Sequence, residues 1–177
     1  IHEEQDFSAE EFEKLKLQID YINAEKIMLN KLKARKRSER ELTDILTAAK
    51  IDELVIQNLI DKFKKLNFIN DYSFAESFVN DRLKLNRKPL KIIRIELRRF
   101  GISEQIINEI LDARKICEPD AELNNCIALA RKKKQKYKNL LENHEEKNKM
   151  IQYLALKGYD FEIINHALEE LKIEKED

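Results

Sequence analysis

The residues of this chain whose types and spacing could do chemistry are its arginines and lysines. Arg35, Lys36 and Arg37 cluster with Lys33 and Arg40. A second cluster holds Arg82, Lys84, Arg87, Lys88, Lys91, Arg94, Arg98 and Arg99, with Glu96 as the single acid between 84 and 99. A third runs from Arg131 to Lys134 and continues at Lys136 and Lys138. Lys91, Arg94 and Arg98 follow i, i+3, i+7 spacing, which puts them on one face of a helix. A guanidinium presents a planar fork of donors that suits a carboxylate and a phosphate alike. These clusters therefore point to an acidic protein groove or a nucleic-acid backbone without choosing between them. The third cluster, rich in lysine, reads as a solvated helix face.

Other chemistry finds no support. His2, His144 and His166 are far apart in sequence, and none has a metal-ligand spacing with cysteine or another histidine. Gly101 and Gly158 cannot form a phosphate-cradling loop. Carboxylates sit beside bases, as Glu39 and Glu41 do around Arg40. The expectation is a protein with no enzymatic activity, no cofactor and no metal. Cys117 and Cys126 read as two reduced thiols of a cytoplasmic protein, and Cys126 sits in the apolar series Cys126, Ile127, Leu129, Ala130. No apolar run approaches the ~18 residues of a membrane span. The start at Ile1, without Met, suggests a segment missing upstream.

The elements that must carry these residues are helices. Among 177 residues there are 2 glycines and 2 prolines, too few turn formers for a sheet-rich fold, and 38% of residues are charged against 42% hydrophobic, the mix of amphipathic helices. The 34 basic and 34 acidic residues cancel. Their distribution does not: the net charge is −5 over 1–22, +4 over 23–66, +3 over 67–116 and −2 over 117–177. A neutral chain with basic middle segments is not a general polyanion binder; it fits one basic face with acidic ends.

A threefold internal repeat sets the architecture. Leu46, Lys50, Ile51, Asp52, Val55, Ile56 and Ile60 align without gaps with Leu97, Gly101, Ile102, Ser103, Ile106, Ile107 and Leu111, and again with Leu154, Gly158, Tyr159, Asp160, Ile163, Ile164 and Leu168. The leucine closes an apolar helix face. The glycine stands where a helix end needs a left-handed residue; Lys50 takes that place in the first copy, so its helix must end differently or under strain. Asp52, Ser103 and Asp160 suit an N-cap. A further helix precedes each pair, over about 23–36, 71–85 and from 119–120 past Leu129. Ser38 and Glu41 form a capping box, as do Ser8 and Glu11 ahead of Phe12, Leu15 and Ile19. Pro89 suits a first helical turn, and the last copy's second helix starts near His144. The fold class expected is all-α: three tandem three-helix repeats in an elongated, curved array, with a short extra N-terminal helix. The segments are 1–22, 23–68, 69–117 and 118–177. Units of ~50 residues are small for a self-sufficient core, so neighbours should pack together.

Four stretches resemble the RecX family, bacterial regulators of the RecA recombinase. They are Arg35, Arg37, Ser38, Glu41 and Leu42; Phe68 to Asp71 with Phe74, Ala75, Phe78, Val79 and Arg82; Lys88, Pro89, Ile92 or Ile93, Glu96, Leu97, Gly101 and Ile102; and Tyr153, Leu154, Lys157, Gly158, Tyr159, Ile163, Ile164, Ala167 and Leu168. Asn70, Lys88 and Lys50 depart from the pattern, all at turns or caps. The resemblance implies a non-enzymatic modulator that binds the groove of the RecA–single-stranded DNA filament, inhibiting its ATPase, strand exchange and growth; with no sustained heptad seam to argue for a coiled-coil dimer, a monomer is expected. It makes Arg35, Arg37, Arg82, Arg94 and Arg98 candidate contacts to acidic filament surface or to phosphates of single-stranded DNA. The competing expectation is a helical module that binds nucleic acid directly, since three-helix units resemble helix-turn-helix domains.

Overall fold

The structure is a computed structural model that describes residues 8–134 and 144–173. Among the described residues the secondary structure is helical, without strands. The helices are α1 Ala9–Ala34, α2 Glu39–Ala48, α3 Glu53–Lys65, α4 Asp71–Lys84, α5 Leu90–Arg99, α6 Glu104–Cys117, α7 Ala121–Lys134, α8 His144–Leu156 and α9 Phe161–Ile173. The expected tandem three-helix organisation is present. The chain divides into two compact units, residues 1–74 and 75–177, with the boundary inside α4.

The three aligned segments form the same corner three times. In each, the apolar residue after the corner donates its N–H to the carbonyl of the repeat's leucine: Ile51 to Leu46 at 3.2 Å, Ile102 to Leu97 at 3.1 Å and Tyr159 to Leu154 at 3.3 Å. The residue before it closes a tighter bond, Lys50 to Thr47, Gly101 to Arg98 and Gly158 to Ala155, at 2.9 to 3.0 Å. This paired bonding is the Schellman end of a helix, and it demands positive φ at the central residue. Gly101 and Gly158 supply φ of +79° and +95°, and Lys50 is driven to +59°. The first repeat therefore ends its helix by the same bonds as the others and carries the strain that a Cβ brings to that region. Leu46, Leu97 and Leu154 are fully buried, each worth about 1.5–3 kcal/mol of apolar transfer.

In the first unit, Ala24, Met28, Leu42, Leu46, Val55, Ile56, Leu59, Ile60, Phe63 and Ile69 form one core. Both capping boxes close: Ser8 and Ser38 accept from the Glu11 and Glu41 N–H groups at 3.2 Å, and the two glutamates bond back. The expected break between a leading helix and the first helix of the first repeat does not appear. α1 runs unbroken through positions 22 and 23, because the stretch Asp20-Tyr-Ile-Asn-Ala-Glu-Lys26 contains neither proline nor glycine to stop it. Its first turns expose Phe12 and Ile19 at 60% and 58%.

The second unit joins two three-helix sets by a seam of consecutive residues. Gly158 sits so close to α5 that a Cβ there would lie 2.6 Å from Ile92 Cδ1 and nearer still to Cγ1. Next to it, the Tyr159 hydroxyl donates to the Arg87 carbonyl at 2.6 Å, and Asp160 pairs with Lys91 at 3.1 Å. Burial raises the Tyr159 pKa. Asn125 Nδ2 donates to the Leu83 carbonyl at 3.0 Å. Pro89 is the N-cap of α5, one place before the expected first turn, and has no side-chain oxygen to cap with. Glu122, from α7, accepts the free Leu90 N–H at 3.2 Å; burial pushes its carboxyl above the ordinary value. The core beyond this seam holds Cys126, Ile127, Ala130, Met150, Leu154, Tyr159, Ile164, Ala167, Leu168 and Leu171.

Candidate partner-binding surface

The five arginines singled out by sequence fall into three local networks, each centred on a glutamate of the same chain. In the first unit α1 ends at Ala34 and Arg35 turns into extended backbone, φ −166°. That geometry folds Arg35 and Arg37 around Glu41. Arg35 makes a two-pronged bond to it, one prong at 3.1 Å, and Arg37 reaches it at 3.3 Å. Arg37 is partly buried, and its Nε is buried without a hydrogen-bond partner. Close by, Asp71 accepts the Glu39 N–H at 2.9 Å and Lys64 pairs with Glu39 at 2.8 Å. Burial raises the Asp71 carboxyl pKa, and the bond to Glu39 raises that of Lys64.

In the second unit, Glu96 is the centre of a bridge, not an interruption of a basic stripe. Arg82 Nε bonds Glu96 at 3.0 Å, Lys88 binds its other oxygen, and Arg82 also reaches Asn86 at 3.1 Å. The Arg82 guanidinium stacks on Phe78, 4.3 Å from the ring centre, and Phe78 meets Phe100 edge-on at 5.1 Å. Arg82 therefore ties α4 to α5 as well as presenting charge. Arg94 and Arg98 share a face of α5, as the spacing predicts, and both turn to Glu104 at the start of α6. Arg94 lies 3.2 Å from Glu104 and 2.6 Å from Asn108 Oδ1. The hydrogen bond from Arg98 holds the Glu104 carboxyl below its ordinary pKa and raises that of Arg98.

Sequence reasoning missed the roles of Glu41, Glu96 and Glu104 as internal partners. Glu41 carried a signal, since a capping-box glutamate has a fixed position. Glu96 and Glu104 lie 14 and 6 residues from Arg82 and Arg98 across helix ends, where only packing decides contact. Of the third cluster, Lys136 and Lys138 lie outside the described residues, as does His2. His166 is exposed and 3.8 Å from Glu170. No group of three or more His, Cys, Asp or Glu side chains that could hold a metal ion occurs among the described residues. No described helix is long and apolar enough to cross a membrane.

What this arrangement can do is exchange. Ion pairs at exposed arginines are worth only about 0–1 kcal/mol, so a partner's carboxylate or phosphate can replace Glu104 at Arg98 at small cost.

Comparison with known proteins gives consistent matches. Residues 70–111 match the sequence pattern described as RecX, second three-helix domain, and residues 120–168 that of RecX, third three-helix domain. The regulatory protein RecX of Clostridioides difficile is 32% identical over 153 residues, covering 85% of this chain and 69% of that protein. The regulatory protein RecX of Streptococcus agalactiae is 28% identical over 169 residues; the chain spans 63% of its length. The crystal structure of RecX from Lactobacillus salivarius superposes with a TM-score of 0.75 at 27% identity, covering 88% of this chain and 99% of that one.

Proposed function

Since this chain belongs to the RecX family of regulatory proteins, we propose that it acts on RecA, in the cytoplasm, as a non-enzymatic monomeric modulator. It binds in the groove of the RecA–single-stranded DNA filament and inhibits ATP hydrolysis, strand exchange and filament growth. Its modules are the repeats at 23–68, 69–117 and 118–177. The observation that supports this most directly is the placement of Arg94 and Arg98 on one face of α5, paired only to the exposed Glu104 and to Asn108. Arg35, Arg37 and Arg82 act as secondary contacts. Their partners are acidic filament surface and phosphates of the bound strand. Several such exchanges, each weak, combine into useful affinity because they occur on one molecule.

The test is RecA ATP hydrolysis on single-stranded DNA with the protein added at stoichiometric amounts. Hydrolysis is expected to fall, and Arg94→Glu with Arg98→Glu to relieve the inhibition while helicity is unchanged. Undiminished hydrolysis at stoichiometric amounts of the folded chain would overturn the function. Undiminished inhibition by the folded double variant would overturn the site alone. If the protein instead binds single-stranded DNA steeply salt-dependently and leaves RecA untouched, the direct nucleic-acid reading replaces this one.

A further inference from the structure

Across α4, α5 and α6 the second unit compensates most of its basic charge internally: Arg82 and Lys88 on Glu96, Arg94 and Arg98 on Glu104, Arg114 on Glu118. One place differs. A cavity of about 250 Å³ opens where the turn after α4 faces the end of α8. Its walls include Arg87, Lys157, Ile92, Leu129, Tyr153 and Leu156. Arg87 and Lys157 have no carboxylate partner among the described residues. Leu156 is 88% exposed although it borders the cavity.

The backbone around it is held in place. Arg87 has φ of +50°, a conformation that costs energy for a residue with a Cβ, and its carbonyl is held by the Tyr159 hydroxyl. The Gly158 contact with Ile92 fixes the opposite wall. The cavity is thus built by the seam that joins the two three-helix sets.

We infer that this cavity docks an acidic segment of a protein partner, one large apolar side chain entering between Ile92, Leu129 and Leu156 while flanking carboxylates meet Arg87 and Lys157. The charge argument sets the sign: two uncompensated cations beside an apolar floor attract an anion that brings apolar surface with it. Nucleic acid fits less well. Its bases would need the Tyr153 ring for stacking, and that ring already carries the ammonium groups of Lys133 and Lys157 at 4.8 and 5.6 Å from its centre. A phosphate would leave the leucine and isoleucine walls unused.

This inference takes its partner, the RecA filament, from the proposed function, and the site is separate from the arginines discussed above. The experiment measures affinity of the whole chain for RecA–single-stranded DNA filaments and, separately, for a fluorescein-labelled oligo(dT) without RecA. The variants are Leu156→Ser, Lys157→Glu and Arg87→Asn, the last chosen because asparagine tolerates positive φ. Ile116→Ser, at another exposed apolar residue, is the control. Each cavity variant is expected to weaken filament binding by roughly 10- to 100-fold, the effect of losing one buried apolar side chain or one well-placed charge. The control and the oligo(dT) affinities should not change. With p-benzoylphenylalanine at position 156, light should attach the chain to a RecA peptide that carries Asp or Glu beside a large apolar residue. Wild-type binding with unweakened cavity variants would overturn the inference and leave the proposed function standing. Equal losses on oligo(dT), or attachment to DNA, would assign the cavity to nucleic acid and overturn it too. A wild-type chain that fails to bind filaments would remove both.

Discussion

Gly158→Ala is the perturbation whose outcome the geometry determines most closely. Two costs add. At φ +95° an L-residue is strained by roughly 1–2 kcal/mol. The new Cβ would also fall within 2.6 Å of Ile92 Cδ1, and relief of such overpacking costs about 1–3 kcal/mol. The total is about 2–5 kcal/mol, concentrated at the seam inside residues 75–177. Cys126 reports on it, because it is fully buried in the core that Leu154 and Tyr159 share. With Cys117→Ser removing the exposed thiol, labelling of Cys126 by a thiol reagent requires local opening. At a factor of ten per ~1.4 kcal/mol, Gly158→Ala should speed labelling by about 30- to several-thousand-fold. Ile92→Ala in the same molecule removes the colliding atoms. The double variant should recover the steric share, a coupling of about 1–3 kcal/mol in a double-mutant cycle. Labelling of Gly158→Ala within twofold of the parent, or zero coupling to Ile92→Ala, would refute the close-approach argument.

Three further outcomes follow from individual residues. Lys50→Gly should stabilise the chain by about 0.5–1 kcal/mol in urea unfolding followed by circular dichroism, since it relieves positive φ at a place where the other repeats use glycine; a loss of stability would contradict the strain assigned to that corner. In the native protein, the exposed Cys117 should react with a thiol reagent without any opening of the fold, whereas Cys126, whose pKa burial pushes up to about 12, should react only on opening; equal rates would count against the core placement. Glu122 has a raised folded-state pKa, so its favourable contribution is complete below the ordinary value of 4.5 and is lost as pH rises through the folded value. Glu122→Gln keeps an acceptor for the Leu90 N–H without the charge. Its stability relative to the parent should therefore grow between pH 4 and pH 7, and a flat difference would dispose of the desolvation argument.

The helical repeat was legible because the forces that make it are short-range. A leucine, a glycine four residues on and a capping Asp or Ser report the same corner wherever they recur, and the bonds from Ile51, Ile102 and Tyr159 confirm the register. Capping boxes at Ser8 and Ser38 were readable for the same reason. The length of α1 was less legible: the alignment marks where repeats begin, but only the absence of a helix breaker decides whether a helix stops there. The candidate site was readable as residue types alone. Arg94 and Arg98 share a face by periodicity, yet their pairing with Glu104, and that of Arg82 with Glu96, joins different helices. Lys91 and Asp160 meet across 69 residues of sequence, and Arg87 and Lys157 wall one cavity. Charge in a sequence is additive, whereas in a fold it is cancelled by whichever neighbour packing brings within a few ångströms. Helix ends and apolar stripes therefore belong to the local code, and the choice of which cations stay available belongs to tertiary packing.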